Sequence, residues 1–443
     1  MESENAYNKP VNLRNVMKFA IPTIVMTVFM SFYTMVDGLF VSNLIGTDAL
    51  SAVNLTAPVI ALVTAISTML ATGGSAVIMK KMGEEKTREA NEDFTFLIIV
   101  NVIAGLIMSC LGYLVMDKIF ESMALSPKVF SYCHLYLSRY LIFVIPILLM
   151  NNFTLYMIAA GRSALSMICS IAGGILNMAL DYVLIAVLDM GIAGAAIATG
   201  FGYSVTAVVG LVMFSNKNNM LHFIKPACHF KTLFHAATNG SSEMATALVT
   251  GIVTMMFNWT MLKYVGEHGV AAITIIMYVL MFATSLYTGY SYGVAPMISF
   301  YYGEQNHKKL KKLVRMSLRV ISAIAVITLV ISLVVTEPLV SVFARQDNPV
   351  YGLAVTGNHI CSFALMFIGF NVFASGMFTA LSNGLISAIL AFSRSFVFMV
   401  IAMLILPAIW GVTGVWLATP VAEFAAVVLS AVMFVKYRKK YHY

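Results

Sequence analysis

Asp37 and Asp181 are carboxylates inside stretches that are otherwise apolar, and each has polar company at its own depth. Asp37 lies nine residues before Gly46, Asp181 eight before Asp189, and Thr199 eight after Gly191. Helices ending at those points, rising about 1.5 Å per residue, set all three roughly 12 Å below one set of helix ends. Asn177 and Asp181 are spaced i,i+4 and so share a helix face. Two carboxylates, an amide oxygen and a hydroxyl make an all-oxygen site for a hard monovalent cation such as sodium, or a pair that shares one proton. The competing reading is a hydrogen-bond cluster that only ties helices together. An acid in hydrocarbon costs at least about 2.5–3.5 kcal/mol, which favours a function for the two aspartates. Glu423, deep in its apolar stretch, and Glu243, a turn into its own, are further candidates for a coupling or substrate role. Arg139 and Arg394 also fall inside apolar stretches, where an arginine either snorkels or pairs with a carboxylate.

The chain that must position these groups has 443 residues, of which 60% are hydrophobic and only 10% charged. A water-soluble fold needs more polar surface than that. Lipid offers no partner to a backbone amide, so the long apolar stretches must be helices, giving an all-α integral membrane protein. Hydropathy predicts twelve spans, at 14–45, 51–79, 94–116, 132–158, 163–188, 191–214, 238–262, 270–300, 320–343, 352–380, 383–407 and 412–435. With both termini and the even-numbered loops on one side, that side holds 21 of the 27 Lys and Arg residues and the other holds 4. The positive-inside rule then predicts cytoplasmic termini in a multi-pass cell (inner) membrane protein. The same asymmetry accounts for the net charge of +8 without nucleic acid. Five scattered cysteines form no metal or disulfide pattern, and the polar N-terminus does not read as a removable signal peptide.

One offset, 220 residues, aligns the chain with itself almost throughout. Gly46 falls on Gly266, Gly73 on Gly293, Gly83-Glu84 on Gly303-Glu304, Asn151 on Asn371, and Ala198-Thr199 on Ala418-Thr419. Six spans per copy is an even number, so the two bundles share one orientation and face each other about a pseudo-two-fold axis along the membrane normal. The expected domains are a 1–13 N-terminus, an N-lobe over 14–214, a cytoplasmic linker over 215–237, a C-lobe over 238–435 and a basic tail over 436–443. Asn151 and Asn371, matched across the repeat, join the candidates for substrate contact. Asp37 corresponds to Phe257, Asn177 to Val397 and Asp181 to Ile401, so the polar set belongs to one copy alone.

At these residues the sequence resembles the multidrug and toxic compound extrusion (MATE) family. The segments that carry the likeness are VDGLFVSNLIGTDALSAVNLTAP, ILNMALDYVL and DMGIAGAAIAT, within a match over residues 14–435. The resemblance implies a twelve-helix antiporter that expels small organic cations in exchange for protons or sodium ions and needs no other cofactor. Its DinF-like branch implies a cation site, a candidate sodium site included, at Asp37, Asn177, Asp181 and Thr199. It also implies bending of the first helix at Pro22, where a proline weakens the helix. Acids that the NorM-like branch carries in the C-lobe are replaced here by Thr250 and Asn371, which argues against a second cation site. The expected partners are organic cations and the lipid bilayer, with the chain acting as a monomer.

The runner-up reading is a flippase for a lipid-linked precursor, from the same wider superfamily. An enzyme is not expected: HExxH, a paired cysteine motif and the P-loop pattern GxxxxGK[ST] are absent from the sequence. The topology is open to a direct test. Reporter fusions at Thr47, Met190 and Gly411 should report the outside, and fusions at Gly83 and Gly303 the cytoplasm; a reversed or odd-numbered pattern would refute it.

Overall fold

A computed structural model describes residues 7–123 and 125–443; residues 1–6 of the expected N-terminal segment lie outside the described residues. The N-lobe runs through α1 (Leu13–Leu44), α2 (Thr47–Gly83), α3 (Thr87–Ser122), α4 (Pro127–Ile142), α5 (Val144–Ala159), α6 (Ser163–Asp181) and α7 (Gly191–Ser215). The C-lobe follows with α8 (Phe230–Val265), α9 (Glu267–Gly303), α10 (His307–Phe343), α11 (Pro349–Cys361), α12 (Leu365–Ala380), α13 (Gly384–Phe392), α14 (Met399–Trp410) and α15 (Val412–Tyr441). Among the described residues eleven helices are long and apolar enough to span a membrane, and α4 with α5, bent by 55°, makes a twelfth if the pair is one span. Helices alone make up the regular structure among the described residues, as the hydrocarbon constraint requires.

Two differences from the sequence expectation have physical causes. Several helices outrun the apolar core: α10 begins at His307 and α8 at Phe230, because charged residues at a helix end stand in water and need not terminate it. The non-helical part of the 215–237 connection is therefore Asn216–His229, pinned along α3. His222 and Ile224 donate backbone N–H groups to Asn91 Oδ1 (2.8 Å) and Thr95 Oγ1 (3.1 Å). The His229 ring contacts the fully buried Asp93 at 2.9 Å. The second difference is that two spans widen into single π-helical turns, at Tyr182–Val187 and Ser393–Phe398, which are not at matching places in the repeat.

The repeat is visible in the helices themselves. α2 and α9 have 37 residues each, and their ends lie in the 220 register. Gly191 and Gly411 open α7 and α15 with φ of +55° and +56°, a conformation that costs an L-residue with a Cβ dearly and a glycine nothing. The starts of α6 and α13 are one residue out of register; Ile401, which the offset sets against Asp181, and its neighbour Ala402 are both apolar.

The lobes close on each other at the end that bears the basic loops. A Cβ at Gly83 would collide with the Phe300 carbonyl oxygen, and one at Gly303 with that of Lys80, a reciprocal pair of backbone contacts on the pseudo-two-fold axis. Gly73 lies against Ala236 and Gly240 of α8, while Gly293 lies against Ala20 and Thr23 of α1. Tyr7, fully buried, donates to the Ala159 carbonyl, accepts from Tyr301 Oη on its own carbonyl at 3.1 Å, and stacks on Phe300 at 4.9 Å. One hydrophobic core therefore runs through both lobes at the basic end, while a second fills the opposite half of the N-lobe alone.

Because backbone meets backbone there, even one methyl group should pry the seam apart. Thr72 lines a cavity between the lobes, and Gly83→Ala or Gly303→Ala should raise, several-fold, the labelling of a Thr72→Cys probe there by an impermeant maleimide added from the basic side, with the native cysteines replaced. Unchanged labelling would show that the seam is not the seal.

Candidate functional site

In the N-lobe, α6 packs between α1 and α7 with glycine at both contacts. A Cβ on Gly173 would collide with the Gly202 carbonyl oxygen of α7, and one on Gly174 would reach the Phe29 ring of α1 at 2.6 Å. This approach brings Asn177 and Asp181 of α6 against Asp37 of α1 and Thr199 of α7. Asn177 and Asp181 are buried, Thr199 nearly so, and Asp37 is half-buried. Asn177 Nδ2 donates to Thr199 Oγ1 at 3.3 Å, and Thr199 passes its own proton to the Ala195 carbonyl at 3.0 Å. The carboxyl groups of Asp37 and Asp181 lie within interaction range of each other.

What distinguishes this cluster is its lack of donors. Asp37 Oδ1, Asn177 Oδ1 and both Asp181 carboxyl oxygens are buried and accept no hydrogen bond from any described residue. Buried acceptors are normally satisfied, and a buried carboxylate without a donor or counter-charge is costly. Four such oxygens together suit a proton or a hard cation, and the set contains no imidazole or thiolate for a softer metal. The tyrosines Tyr33, Tyr136 and Tyr203 surround the acids. Sequence reasoning missed them, although Tyr33 lies four residues before Asp37 and Tyr203 four after Thr199, each on the same helix face. The first π turn begins directly after Asp181.

Pro22 lies inside α1, which continues through it as helix. Having no N–H, it leaves the Lys18 carbonyl without its helical donor, and Ser163 Oγ at the start of α6 reaches that carbonyl at 3.4 Å. Thr23, Thr27 and Ser31 bond back to carbonyls of their own helix at 2.8–3.3 Å, a pattern that favours bending.

The C-lobe is built differently. Arg394 Nε reaches both carboxyl oxygens of Glu423, at 2.8 and 3.0 Å. Asn371 Nδ2 donates to Glu423 Oε2 at 2.7 Å and to the Glu423 carbonyl at 2.9 Å, while Ser430 Oγ donates to Asn371 Oδ1 at 3.0 Å. Glu423 is thus a satisfied acid with a counter-ion. Arg394 and Glu423 are the lone charges of two adjacent spans, a signal from which the pair was legible. Both line a cavity of about 350 Å³ that Glu243, Thr250 and Asn371 also face, within the size range of small-molecule sites. Glu243 is half-buried there and makes no hydrogen bond with a described residue. Asn151, half-buried on α5, lies outside this lining, and Arg139 is exposed on α4.

The MatE family model matches the chain twice, over residues 22–183 and 243–404, once in each lobe. The chain belongs to this family. Its members are transporters, not enzymes. The multidrug export protein MepA of Staphylococcus haemolyticus is 24% identical over 426 residues, or 95% of this chain and 92% of that protein. A crystal structure of a MATE protein in a straight conformation superposes with a TM-score of 0.93 at 20% identity, covering 100% of this chain and 99% of that one. A Pyrococcus furiosus transporter of the MOP superfamily, described as having a binding pocket of reverse polarity, superposes with a TM-score of 0.92 at 20% identity over the whole of both chains. At such identities the solved structures establish the fold.

In this MatE transporter α1 carries one acid of the cluster, the proline and the face that meets α9. Pro22→Ala restores the missing donor to the Lys18 carbonyl and stiffens α1. Transport should slow markedly, measured by flux in reconstituted vesicles.

Proposed function

We propose that this chain is a multidrug exporter that expels amphipathic organic cations in exchange for protons or sodium ions by alternating access. The observation that carries the reading is the set of four buried acceptor oxygens on Asp37, Asn177 and Asp181 that no described donor reaches. Such a site is stable when a proton or cation occupies it and unstable when it is bare, so emptying it favours a rearrangement of the helices that hold it. α1 is the element that rearranges, at Pro22. The N-lobe over 14–214 and the C-lobe over 238–435 move against each other, joined by the 215–237 linker. The basic end, with both termini, faces the cytoplasm, which makes the closed seam a cytoplasmic gate. The MepA relatives, named as multidrug export proteins, support the substrate class. The chain is proposed to work as a monomer. The flippase alternative is less well supported, because the cavity is lined by the carboxylates Glu243 and Glu423.

Counterflow in proteoliposomes, with a fluorescent cation and separately imposed proton and sodium gradients, tests the reading. Asp37→Asn keeps size and hydrogen bonding but cannot titrate. It should reduce gradient-driven export to background without loss of expression or insertion. Any sodium dependence should vanish with Asp181→Asn and weaken with Asn177→Ala, since each removes a hard oxygen ligand. Undiminished export by reconstituted Asp37→Asn protein would discard this coupling site.

A further inference from the structure

The repeat gives the closed seam two flanks, and the chain itself fills only one of them. On the flank between α1 and α9, the Tyr7 ring lies against Phe19 and Phe300, and its hydroxyl reaches the Ala159 carbonyl. The corresponding flank lies between α2, α8 and α13. There the position that matches Tyr7 is Ala227, which has no ring to offer, and Lys80 and Lys81 stand where the filled flank has Phe300 and Tyr301. What remains is an open groove of about 620 Å³, walled by residues of both lobes.

The chemistry of the groove is that of an anion site beside an apolar face. Lys80, Lys81, His229, Lys231 and His235 line it, and the first turn of α8 adds the positive end of that helix. The acids that share the lining are already engaged: Glu84 with Lys86 at 2.9 Å and Lys80 at 3.9 Å, and Glu89 with Lys81 at 3.4 Å. Lys231 and His235, by contrast, are exposed and make no hydrogen bond or ion pair with a described residue. Asn239, buried in the wall, donates to the Thr379 carbonyl at 2.7 Å and leaves its Oδ1 without a described donor. Near these groups, at the starts of two membrane spans, Phe230, Phe234 and Leu385 are 72%, 67% and 71% exposed.

Unpaired cations next to exposed aromatic and aliphatic side chains match an amphiphile with an anionic head. We propose that an acidic phospholipid fills this groove, with its phosphate on Lys231, His235 and Lys80 and its acyl chains along Phe230, Phe234 and Leu385, and that it completes the seam as Tyr7 does on the opposite flank. A soluble phosphate would use the cations and leave the apolar face idle. A lipid held by α2 of one lobe and by α8 of the other favours the closed arrangement, because parting the lobes takes the phosphate from one set of partners.

Native mass spectrometry of the detergent-purified full chain, titrated with dioleoylphosphatidylglycerol or dioleoylphosphatidylcholine, counts the lipids bound and gives their affinities. The wild type should bind one phosphatidylglycerol about tenfold more tightly than phosphatidylcholine. Lys231→Gln combined with His235→Gln should abolish that preference; both side chains are exposed, so the fold does not depend on them. Lys436→Gln with Lys439→Gln removes two charges from the basic tail and should leave the preference intact. Glycerol phosphate in thousandfold excess should not displace the lipid. In reconstituted vesicles, phosphatidylglycerol should slow several-fold the maleimide labelling of the Thr72→Cys probe from the basic side, and the double groove variant should remove that effect. Equal binding of the two lipids, equal losses in the groove and tail variants, displacement by glycerol phosphate, or labelling indifferent to the lipid would each overturn the proposal. None of these measurements uses an ion gradient, so their outcome is independent of the export reading.

Discussion

Hydrocarbon supplies no hydrogen bonds, so each polar atom placed within the bilayer must find its partner inside the protein. The chain meets this constraint with local means almost everywhere. Serine and threonine hydroxyls return to the carbonyl one turn back, as Thr154 does to Met150 at 2.7 Å and Thr260 to Met256 at 2.7 Å. Asn101 and Asn152 satisfy each other across α3 and α5 at 2.9 and 3.2 Å. The carbonyl that Pro22 orphans is met by Ser163. Against that background the bare oxygens of Asp37, Asn177 and Asp181 stand out as a group.

The two lobes solve one problem in opposite ways. Each holds carboxylates within its bundle, but the N-lobe pair has no cationic side chain, whereas the C-lobe acid Glu423 has Arg394 and an asparagine that reads both its side chain and its backbone. Breaking the C-lobe pair would leave a buried charge, at a cost of about 3–5 kcal/mol, so that network is a fixture. The N-lobe set has no such counter-charge among the described residues, and on the coupling proposed above an exchangeable ion takes its place. Duplication supplied the same scaffold twice, and the counter-charge is what the two copies do not share.

Much of this was legible in the residues themselves. Twelve spans follow from hydropathy, and the fixed 220-residue offset gave the two-lobe plan because glycines such as Gly83 and Gly303 are held by backbone contact and admit no side chain. Asp37, Asn177, Asp181 and Thr199 were found together because depth is counted in helical rise and face in i,i+4 spacing. Other features escaped for physical reasons. The π turns at Tyr182–Val187 and Ser393–Phe398 leave no compositional trace, since apolar residues accept either winding. The 55° break between α4 and α5 does leave a mark, Pro146 in the first turn of α5, which has no N–H for the Ile142 carbonyl, but hydropathy alone passes over it as one apolar run. Tyr7 lies in a polar leader whose burial depends on the two lobes meeting, which no local pattern encodes.

The route from the bare oxygens to the closed seam is short, because α1 belongs to both. The half of α1 away from the basic loops carries Asp37; its other half lies on α9, where Gly289 and Gly293 bring the backbones of Ile24 and Ala20 close, and Thr27 Oγ1 donates across the lobes to the Ser285 carbonyl at 2.8 Å. Pro22 sits within that contact, with its orphaned carbonyl tied to α6, the helix that carries the other acid. A change in the straightness of α1 must therefore alter the Asp37–Asp181 approach and the α1–α9 contact at once. The coupling needs no long wire through the protein. An ion that binds one shape of α1 more tightly than another shifts the balance between those shapes by that difference in affinity and by no more. The close glycine packing at the basic end makes intermediate shapes poor, since backbones that touch cannot yield gradually, and so the lobes have reason to be either closed there or parted.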